Sequence, residues 1–194
     1  EKKVVNFLPV TAAREMYEPL NKFKYALFAT YFDQMRAAVP ALVKEKKSTK
    51  VCAIYQDDEF GLEVLRGAEA GLKTLKMDFL EKTSYKRGAT DFSSQVARMK
   101  SAGCEMVVLG TIIRETVAMD GMYATMTVPH PYLDEASNPI RFWANKYKTK
   151  FNEDPTVFSV YGYVILDTFI QAAQKAGTNL TSDSFIATMD KMTV

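Results

Sequence analysis

The stretch Lys50–Gly110 alternates between strand-like and helix-like patterns, and this alternation limits the fold more than any other feature. Short apolar runs predict strands, and apolar residues spaced three or four apart predict helices between them. The predicted strands are Val51–Tyr55, Met77–Thr83 and Glu105–Leu109, and the predicted helices follow Gly61 and Asp91. Strands that alternate with helices favour a parallel sheet covered on both faces. The predicted fold class is therefore α/β.

Patterns outside this stretch predict further elements. The predicted strands are Val4–Val10 and Tyr25–Ala29, and the predicted helices are Phe32–Lys46, Pro139–Phe151, Val157–Ala176 and Asp183–Met189. Pro40 lies inside the first of these helices, and an interior proline predicts a kink or a break there. Asp91 and Gly103 are predicted to cap the two ends of the helix between them.

A discontinuity follows Arg114. The strand-like run Met122–Val128 comes soon after the predicted strand Glu105–Leu109. A parallel crossover needs about a dozen residues or more, usually a helix, and the residues between these runs are too few and too irregular. Either the second run pairs in another way, or a segment is missing near 116–120. The missing segment is the favoured interpretation.

Composition and charge exclude several classes of protein. The chain has 194 residues and a net charge of +2, and its apolar runs are too short to span a bilayer. Lysines are spread over helix faces, so no nucleic-acid partner is predicted. His130 is the only histidine, which argues against a histidine-based triad and most zinc sites. The chain starts at Glu1 without a signal peptide, so we expect a mature or trimmed product.

The two cysteines, Cys52 and Cys104, lie beside predicted buried positions of two strands. Free cysteine is among the most buried residue types, so we expect two free core thiols. A disulfide between the two strands is the alternative that the spacing leaves open.

Two loops follow strands of the predicted sheet, Gln56–Gly61 and Gly110–Arg114. Ligands of parallel sheets bind outside the carboxyl ends of the strands, so we expect the ligand at these loops. Arg114 can hold a carboxylate through two hydrogen bonds, or it can pair with Glu115 or another surface acid. The residues do not favour one of these interpretations over the other.

The densest group of carboxylates is Asp57, Asp58 and Glu59. Paired acids can bind magnesium or act as acid and base, but adjacent residues in a turn point apart. No phosphate-binding loop, dinucleotide fingerprint or nucleophile elbow accompanies them. We interpret them as acids at a helix N-terminus, where the helix dipole favours negative charge. The sequence therefore predicts no enzyme, no cofactor and no metal site.

Two further features have an interpretation with a ligand and one without. Thr11 is predicted to cap the helix-like piece Arg14–Tyr17, where N–H groups face either an anion or no ligand at all. Phe158, Tyr161 and Tyr163 open a predicted helix and form either a pocket wall or interior packing.

Several motifs in a fixed order connect the chain to a known family. They are YQDDEFG, GATDFSSQVARMK and VVLGT, together with FLPVTAA, YALFATYFDQ and FSVYGYVILDTFIQAAQKAG. With these motifs, nearly the whole chain resembles the ligand-binding proteins of branched-chain amino acid ABC transporters. The resemblance implies a type I periplasmic binding fold, with two Rossmann-like lobes whose parallel sheets are flanked by helices. It places 1–30 and 129–194 in the first lobe and 31–128 in the second, both incomplete, with a segment absent near 116–120.

The resemblance also implies roles for residues of the first lobe. Thr11, with the N–H groups of Ala12 and Ala13, would anchor the carboxylate of the ligand. Tyr161 or Tyr163 would supply an aromatic side chain near the cleft in which the two lobes enclose the ligand.

In the second lobe, the resemblance places Phe60 over the side chain of the ligand. Thr111 and Ile112 match the loop that reaches the ligand, and Arg114 follows them. The acid that meets an amino group in amino-acid binders would lie in the absent segment, so the presence of an ammonium on the ligand stays open.

The function implied by the resemblance is the capture of a solute for an ABC importer. The ligand would be an amino acid of the branched-chain type or a similar small carboxylate, and the partner would be the membrane permease. The expected location is periplasmic, or extracellular with a lipid anchor. An aromatic carboxylate as the ligand, and an amide sensor on the same fold, are the alternatives.

Overall fold

The computed structural model describes residues 3–116, 124–125 and 128–193. Its strands are β1 (Asn6–Phe7), β2 (Lys24–Tyr25), β3 (Val51–Gln56), β4 (Glu81–Tyr85) and β5 (Met106–Gly110). Its helices are α1 (Tyr31–Lys46), α2 (Glu59–Lys73), α3 (Ser93–Ala102), α4 (Ile113–Thr116), α5 (Asn138–Phe151), α6 (Val157–Ala176) and α7 (Ser182–Met189), with a 3₁₀ helix at Arg14–Met16. The predicted strand Met122–Val128 falls mostly outside the described residues.

The chain divides into two compact units. Unit 1 comprises Glu1–Thr11, Pro19–Leu27 and Met126–Val194, and unit 2 comprises Ala12–Glu18 and Phe28–Thr125. The chain thus passes between the units several times, whereas the predicted lobes change over at 30/31 and 128/129. The lobe boundaries stay a prediction.

Unit 2 contains a parallel sheet with the strand order β4-β3-β5. The α/β class is confirmed, and the strand after α2 is an edge strand, as predicted. That strand begins at Glu81 rather than Met77, because Met77 and Phe79 instead pack against the core between the sheet and the helices. Their apolar side chains serve this packing, whereas the same apolar pattern in the sequence predicted a strand.

Helices α1 and α2 cover one face of the sheet and approach each other closely. A Cβ atom at Gly67 would lie 2.4 Å from the carbonyl oxygen of Phe32. The core beneath them includes Val39, Val51 and Leu72, all nearly inaccessible to solvent. α1 runs through Pro40 without interruption, so Pro40 does not mark a break, and the kink offered as the alternative stays a prediction. The ring of Pro40 faces Gly71, where an added Cβ would come within 2.9 Å of Pro40 Cδ.

Helix α3 lies on the opposite face of the sheet. Gly103 ends it in the left-handed conformation, with φ of 70°, as predicted. Asp91 is not its N-cap: that position belongs to Phe92. The Asp91 carboxylate instead accepts a hydrogen bond from the N–H group of Ser93 at 2.9 Å, because the chain forms a turn one residue before the helix.

Cys52 and Cys104 form a disulfide, and the expectation of two free thiols is wrong. Their Cα atoms are 5.9 Å apart, within the usual range for a disulfide. β3 and β5 are adjacent parallel strands in which Cys52 pairs with Val107, and Cys104 lies in the short connection between α3 and β5. Burial of Cys52 was predicted correctly, but burial does not distinguish a thiol from a disulfide.

Unit 1 contains the parallel pair β1–β2 and the helices α5, α6 and α7. In its core, the ring of Phe7 packs against the rings of Phe169 and Phe185, at centroid distances of 5.9 and 5.3 Å respectively. β1 is shorter than predicted because Leu8 has a positive φ of 44°, which ends the extended conformation. α6 has the predicted bounds, and no described helix combines the length and the hydropathy needed to cross a membrane.

Candidate functional site

The carboxyl ends of three parallel strands meet at one edge of the sheet in unit 2. Gln56 at the end of β3 pairs with Tyr85 at the end of β4, and Tyr55 pairs with Gly110 at the end of β5. Thr111 follows directly. The two loops in which the sequence predicts the ligand therefore lie side by side, and we call them, together with Tyr85, the carboxyl edge.

Asp58 organises the first of these loops. Its carboxylate accepts hydrogen bonds from the N–H group of Gly61 at 3.2 Å, from Gln56 Nε2 at 2.5 Å and from Arg87 Nη2 at 2.7 Å. The N-cap of α2 is Asp58, which confirms the interpretation of these acids as helix N-terminal residues. Among the described residues, no group of acids, histidines and cysteines could hold a metal ion.

These contacts lower the pKa of Asp58. Burial opposes the charged carboxylate, but the hydrogen bonds from Arg87, Gly61 and Gln56 outweigh it, so the pKa falls below its ordinary value of 3.8. The charged form is thus more favourable in the folded state than in the unfolded state. Its contribution to stability is complete above pH 3.8 and is lost as the pH falls through the folded-state pKa.

We therefore expect Asp58→Asn to lower the melting temperature at neutral pH and to converge with the wild type in acid, because asparagine keeps the cap but not the charge. Thermal unfolding followed from neutral pH to about pH 3 tests this expectation. Asp134→Asn removes the same charge from an exposed position in unit 1 and is the control. A difference between wild type and Asp58→Asn that stays constant with pH would contradict the expectation.

Glu115 is a buried acid at the carboxyl edge, 8 % exposed. Its Oε2 accepts hydrogen bonds from the N–H group of Ile112 at 2.9 Å and from the hydroxyl of Tyr85 at 3.5 Å. Burial raises the pKa of Tyr85 to about 12, and the Glu115 carboxylate adds to the shift. The side chain of Arg114 lies outside the described part, so both of its predicted roles stay predictions.

Two polar atoms at this edge are buried without a hydrogen-bond partner among the described residues. They are Thr111 Oγ1 and Gln56 Oε1. Buried polar atoms are nearly always hydrogen-bonded, so each one without a partner needs an explanation, and a bound water or other molecule is one such explanation. Thr111 is among the predicted ligand-binding residues, and Ile112 beside it is partly buried.

Phe60 is partly buried at the start of α2 and packs against Tyr31 of α1. The two rings meet edge to face, with centroids 4.9 Å apart. Phe60 thus contributes to the packing of unit 2, and its predicted position over the ligand stays a prediction.

The turn at Thr11–Ala13 differs from its prediction. The N-cap of the 3₁₀ helix is Ala13, which has no side-chain cap, so the predicted capping role of Thr11 is wrong. The N–H group of Thr11 donates to the carbonyl of Pro9 at 2.7 Å, so Thr11 belongs to a turn that precedes the 3₁₀ helix. A distant carboxylate replaces the missing cap: Glu63 accepts from the N–H group of Arg14.

The predicted aromatic residues of unit 1 lie near the start of α6. Tyr163 is 53 % exposed and packs against Trp143 of α5, with centroids 5.6 Å apart. Phe158 and Tyr161 meet edge to face at 5.8 Å. The ring contacts agree with interior packing, and the exposure of Tyr163 agrees with a pocket wall. Both interpretations therefore stay predictions.

The predicted site residues fall in both units. Thr11, Tyr161 and Tyr163 belong to unit 1, and Ala12, Ala13, Phe60, Thr111, Ile112 and Arg114 belong to unit 2. The sequence interpretation included Gln56 only as part of a ligand-binding loop and did not single out Tyr85 or Glu63. Gln56 and Tyr85 each lie at the end of a strand, and this position is the signal that could have identified them. Nothing in the sequence connects Glu63 with Arg14.

Known proteins resemble this chain in sequence and in fold. The sequence profile of a family described as periplasmic binding protein matches residues 1–119 and 115–194. A Leu/Ile/Val-binding protein homolog of Brucella suis is 31 % identical over 94 residues, which are 45 % of this chain and 24 % of the relative. The two matched segments of the profile meet near 116–120, where the sequence predicts a missing segment.

Solved structures share the fold. A branched-chain amino acid ABC transporter protein from Thermus thermophilus, with bound valine, has a TM-score of 0.74 at 16 % identity, over 99 % of this chain and 60 % of that one. A fatty acid ABC transporter substrate-binding protein from Thermomonospora curvata has a TM-score of 0.69 at 20 % identity, over 89 % and 54 %.

The chain covers 60 % and 54 % of these two solved proteins, less than two thirds of their length. The family that matches this chain is one of binding proteins and not of enzymes, in agreement with the prediction of no catalytic activity. The profile match over almost every residue, the parallel sheet and the shared fold lead to one conclusion: this chain belongs to the periplasmic binding protein family.

Proposed function

We propose that this chain is the solute-binding component of an ABC importer and that it captures an amino acid of the branched-chain type or a similar small carboxylate. The observation that carries the proposal is the family match along the whole chain. The Leu/Ile/Val-binding homolog and the neighbour with bound valine support the branched-chain type of ligand.

The carboxyl edge supports ligand binding by unit 2. Thr111 Oγ1 is buried without a partner among the described residues, and Ile112 offers an apolar side chain next to it. A ligand with both a polar head and an apolar side chain would match this pair. Phe60, with Arg114 after the second loop, completes the contribution of unit 2 in this proposal.

Unit 1 contributes Thr11, Tyr161 and Tyr163 in the same proposal, and Ala12 and Ala13 follow Thr11 in unit 2. The proposed partner is the membrane permease of the importer, and the proposed location is periplasmic or extracellular. A disulfide supports such a location, because disulfides persist in oxidising compartments.

A thermal-shift screen of the 194-residue chain tests the proposed function. The panel contains L-leucine, L-valine, L-phenylalanine, benzoate, butyrate and acetamide, which represent branched-chain, aromatic, aliphatic and amide ligands. A compound that binds only the folded state increases the free energy of unfolding by RT ln(1 + [L]/Kd) and thereby raises the melting temperature. We expect L-leucine or L-valine to give the largest increase. A larger increase with benzoate would support the aromatic alternative, and no increase with any compound would overturn the proposal.

Substitution of Thr111 separates binding from folding. In Thr111→Val a methyl group replaces a hydroxyl that has no partner among the described residues, so we expect no loss of stability. If the hydroxyl bonds the ligand, affinity for L-leucine falls about tenfold, which corresponds to one lost hydrogen bond.

Isothermal titration calorimetry measures this change, and Thr74→Val is the matched control. The hydroxyl of Thr74 donates to the carbonyl of Gly71 at the far end of α2. Its removal should leave the affinity unchanged. Wild-type affinity in Thr111→Val would remove Thr111 from the proposed site.

A further inference from the structure

Glu63 holds together three separate parts of unit 2. Both of its carboxylate oxygens accept from the N–H group of Arg14, at 3.1 and 3.0 Å. One of them also lies 3.4 Å from the N–H group of Phe32, in the first turn of α1. Glu63 itself belongs to α2. A single side chain thus joins α2 to the turn at Ala12–Arg14 and to the start of α1.

This contact replaces a cap that the turn cannot supply. N–H groups at the start of a helix need acceptors, which are usually the side chains of serine, threonine, aspartate or asparagine at the cap. Ala13 occupies the cap position here and has no such side chain. The acceptor comes instead from Glu63, 49 residues further along the chain.

Two neighbouring contacts fix the same turn. The carbonyl of Ala12 accepts from the N–H group of Tyr31 at 2.9 Å, and the guanidinium of Arg14 lies 5.5 Å from the ring centre of Phe32. Ala12 is 3 % exposed. The turn therefore has a defined orientation on α1 and α2, and Glu63 supplies its charged hydrogen bonds, which are stronger than neutral ones.

We propose that Glu63 is a positioning residue for ligand binding. It holds the turn at Ala12–Arg14 on α1 and α2, in the orientation in which Ala12 and Ala13 would meet the carboxylate of a ligand. This inference rests on the proposed function. Glu63 acts through the turn and need not touch the ligand itself.

Two substitutions of Glu63 test the proposal in the 194-residue chain. Glu63→Ala removes the acceptor, whereas Glu63→Gln keeps an acceptor oxygen without the charge. Glu45→Ala is the matched control, since Glu45 lies near the end of α1, outside the proposed site, and its side chain is 60 % exposed. Hydrogen exchange of residues 12–18 reports on the turn, and calorimetric titration with L-leucine and with benzoate reports on binding.

We expect residues 12–18 to exchange about tenfold faster in Glu63→Ala, which corresponds to the loss of one charged hydrogen bond. Affinity for whichever of L-leucine and benzoate binds the wild type should fall about tenfold as well. Glu63→Gln should keep exchange and affinity close to those of the wild type, and Glu45→Ala should change neither.

Several results would overturn the proposal. Unchanged affinity in Glu63→Ala, with or without faster exchange, would leave Glu63 a structural role only. Equal losses in Glu63→Ala and Glu63→Gln would reject the role of the acceptor oxygen. If the wild type bound none of the compounds in the thermal-shift panel, the proposed function itself would fail, while hydrogen exchange would still decide whether Glu63 holds the turn.

Discussion

Reduction of the disulfide between Cys52 and Cys104 is expected to lower the free energy of unfolding by about 4 kcal/mol. The two residues are 52 positions apart, so the disulfide closes a long loop in the unfolded chain and removes much of its conformational entropy. In the folded chain it ties β3, the central strand of the sheet in unit 2, to the connection that precedes β5.

Urea unfolding with and without a phosphine reductant measures this effect, with circular dichroism as the signal. The double variant Cys52→Ala/Cys104→Ala should unfold at a lower urea concentration than the oxidised wild type. Its unfolding midpoint should not change when the reductant is added. An equal midpoint for oxidised and reduced wild type, after confirmed loss of the disulfide, would contradict the prediction.

Gly61→Ala is expected to cost about 3 kcal/mol or more, at the upper end of overpacking substitutions. A Cβ atom at Gly61 would lie 2.0 Å from the carbonyl oxygen of Gln56 and 2.7 Å from its nitrogen. Both are backbone atoms of β3, which cannot rotate away as a flexible side chain would. The start of α2 would have to move away from the sheet, and the bond from Gly61 to Asp58 would be lost with it.

Gly162→Ala provides the matched control for this substitution. Gly162 lies in α6, and a Cβ atom there would meet no other described atom within 4 Å. Alanine is a better helix former than glycine, so this variant should gain about 0.5–1 kcal/mol. Thermal or urea unfolding of both variants gives the comparison, and a loss of less than about 1 kcal/mol in Gly61→Ala would mean that the turn can rearrange.

The alternation of strand-like and helix-like apolar patterns predicted the α/β sheet, because each strand and helix there follows from the spacing of its own apolar residues. α6 was predicted with its bounds, since Thr156 caps it and Gly177 follows it. The prediction placed the start of β4 too early, because the apolar residues before β4, which pack beneath the helices, resemble a strand in sequence. The cap at Asp91 failed for a related reason, because an aspartate turn and an aspartate cap share the same local sequence.

The candidate site was predictable only where strand ends determine it. The loops after β3 and β5 follow from the rule for parallel sheets, and the structure brings them together at the carboxyl edge. The pairing of Cys52 with Cys104 and the bonds of Glu63 with Arg14 depend on contacts between residues about 50 positions apart. No local pattern encodes such contacts, and sequence reasoning therefore could not find them.

The division of the chain between the units also sets the order in which a ribosome can complete them. Phe7 and Tyr25 pack with residues of α7, so β1 and β2 cannot complete their core before α7 has been synthesised. The three-stranded sheet needs nothing beyond residue 125 and can form while translation continues. Because contacts between distant residues form slowly, the apolar residues of β1 and β2 would stay uncovered in the nascent chain until then.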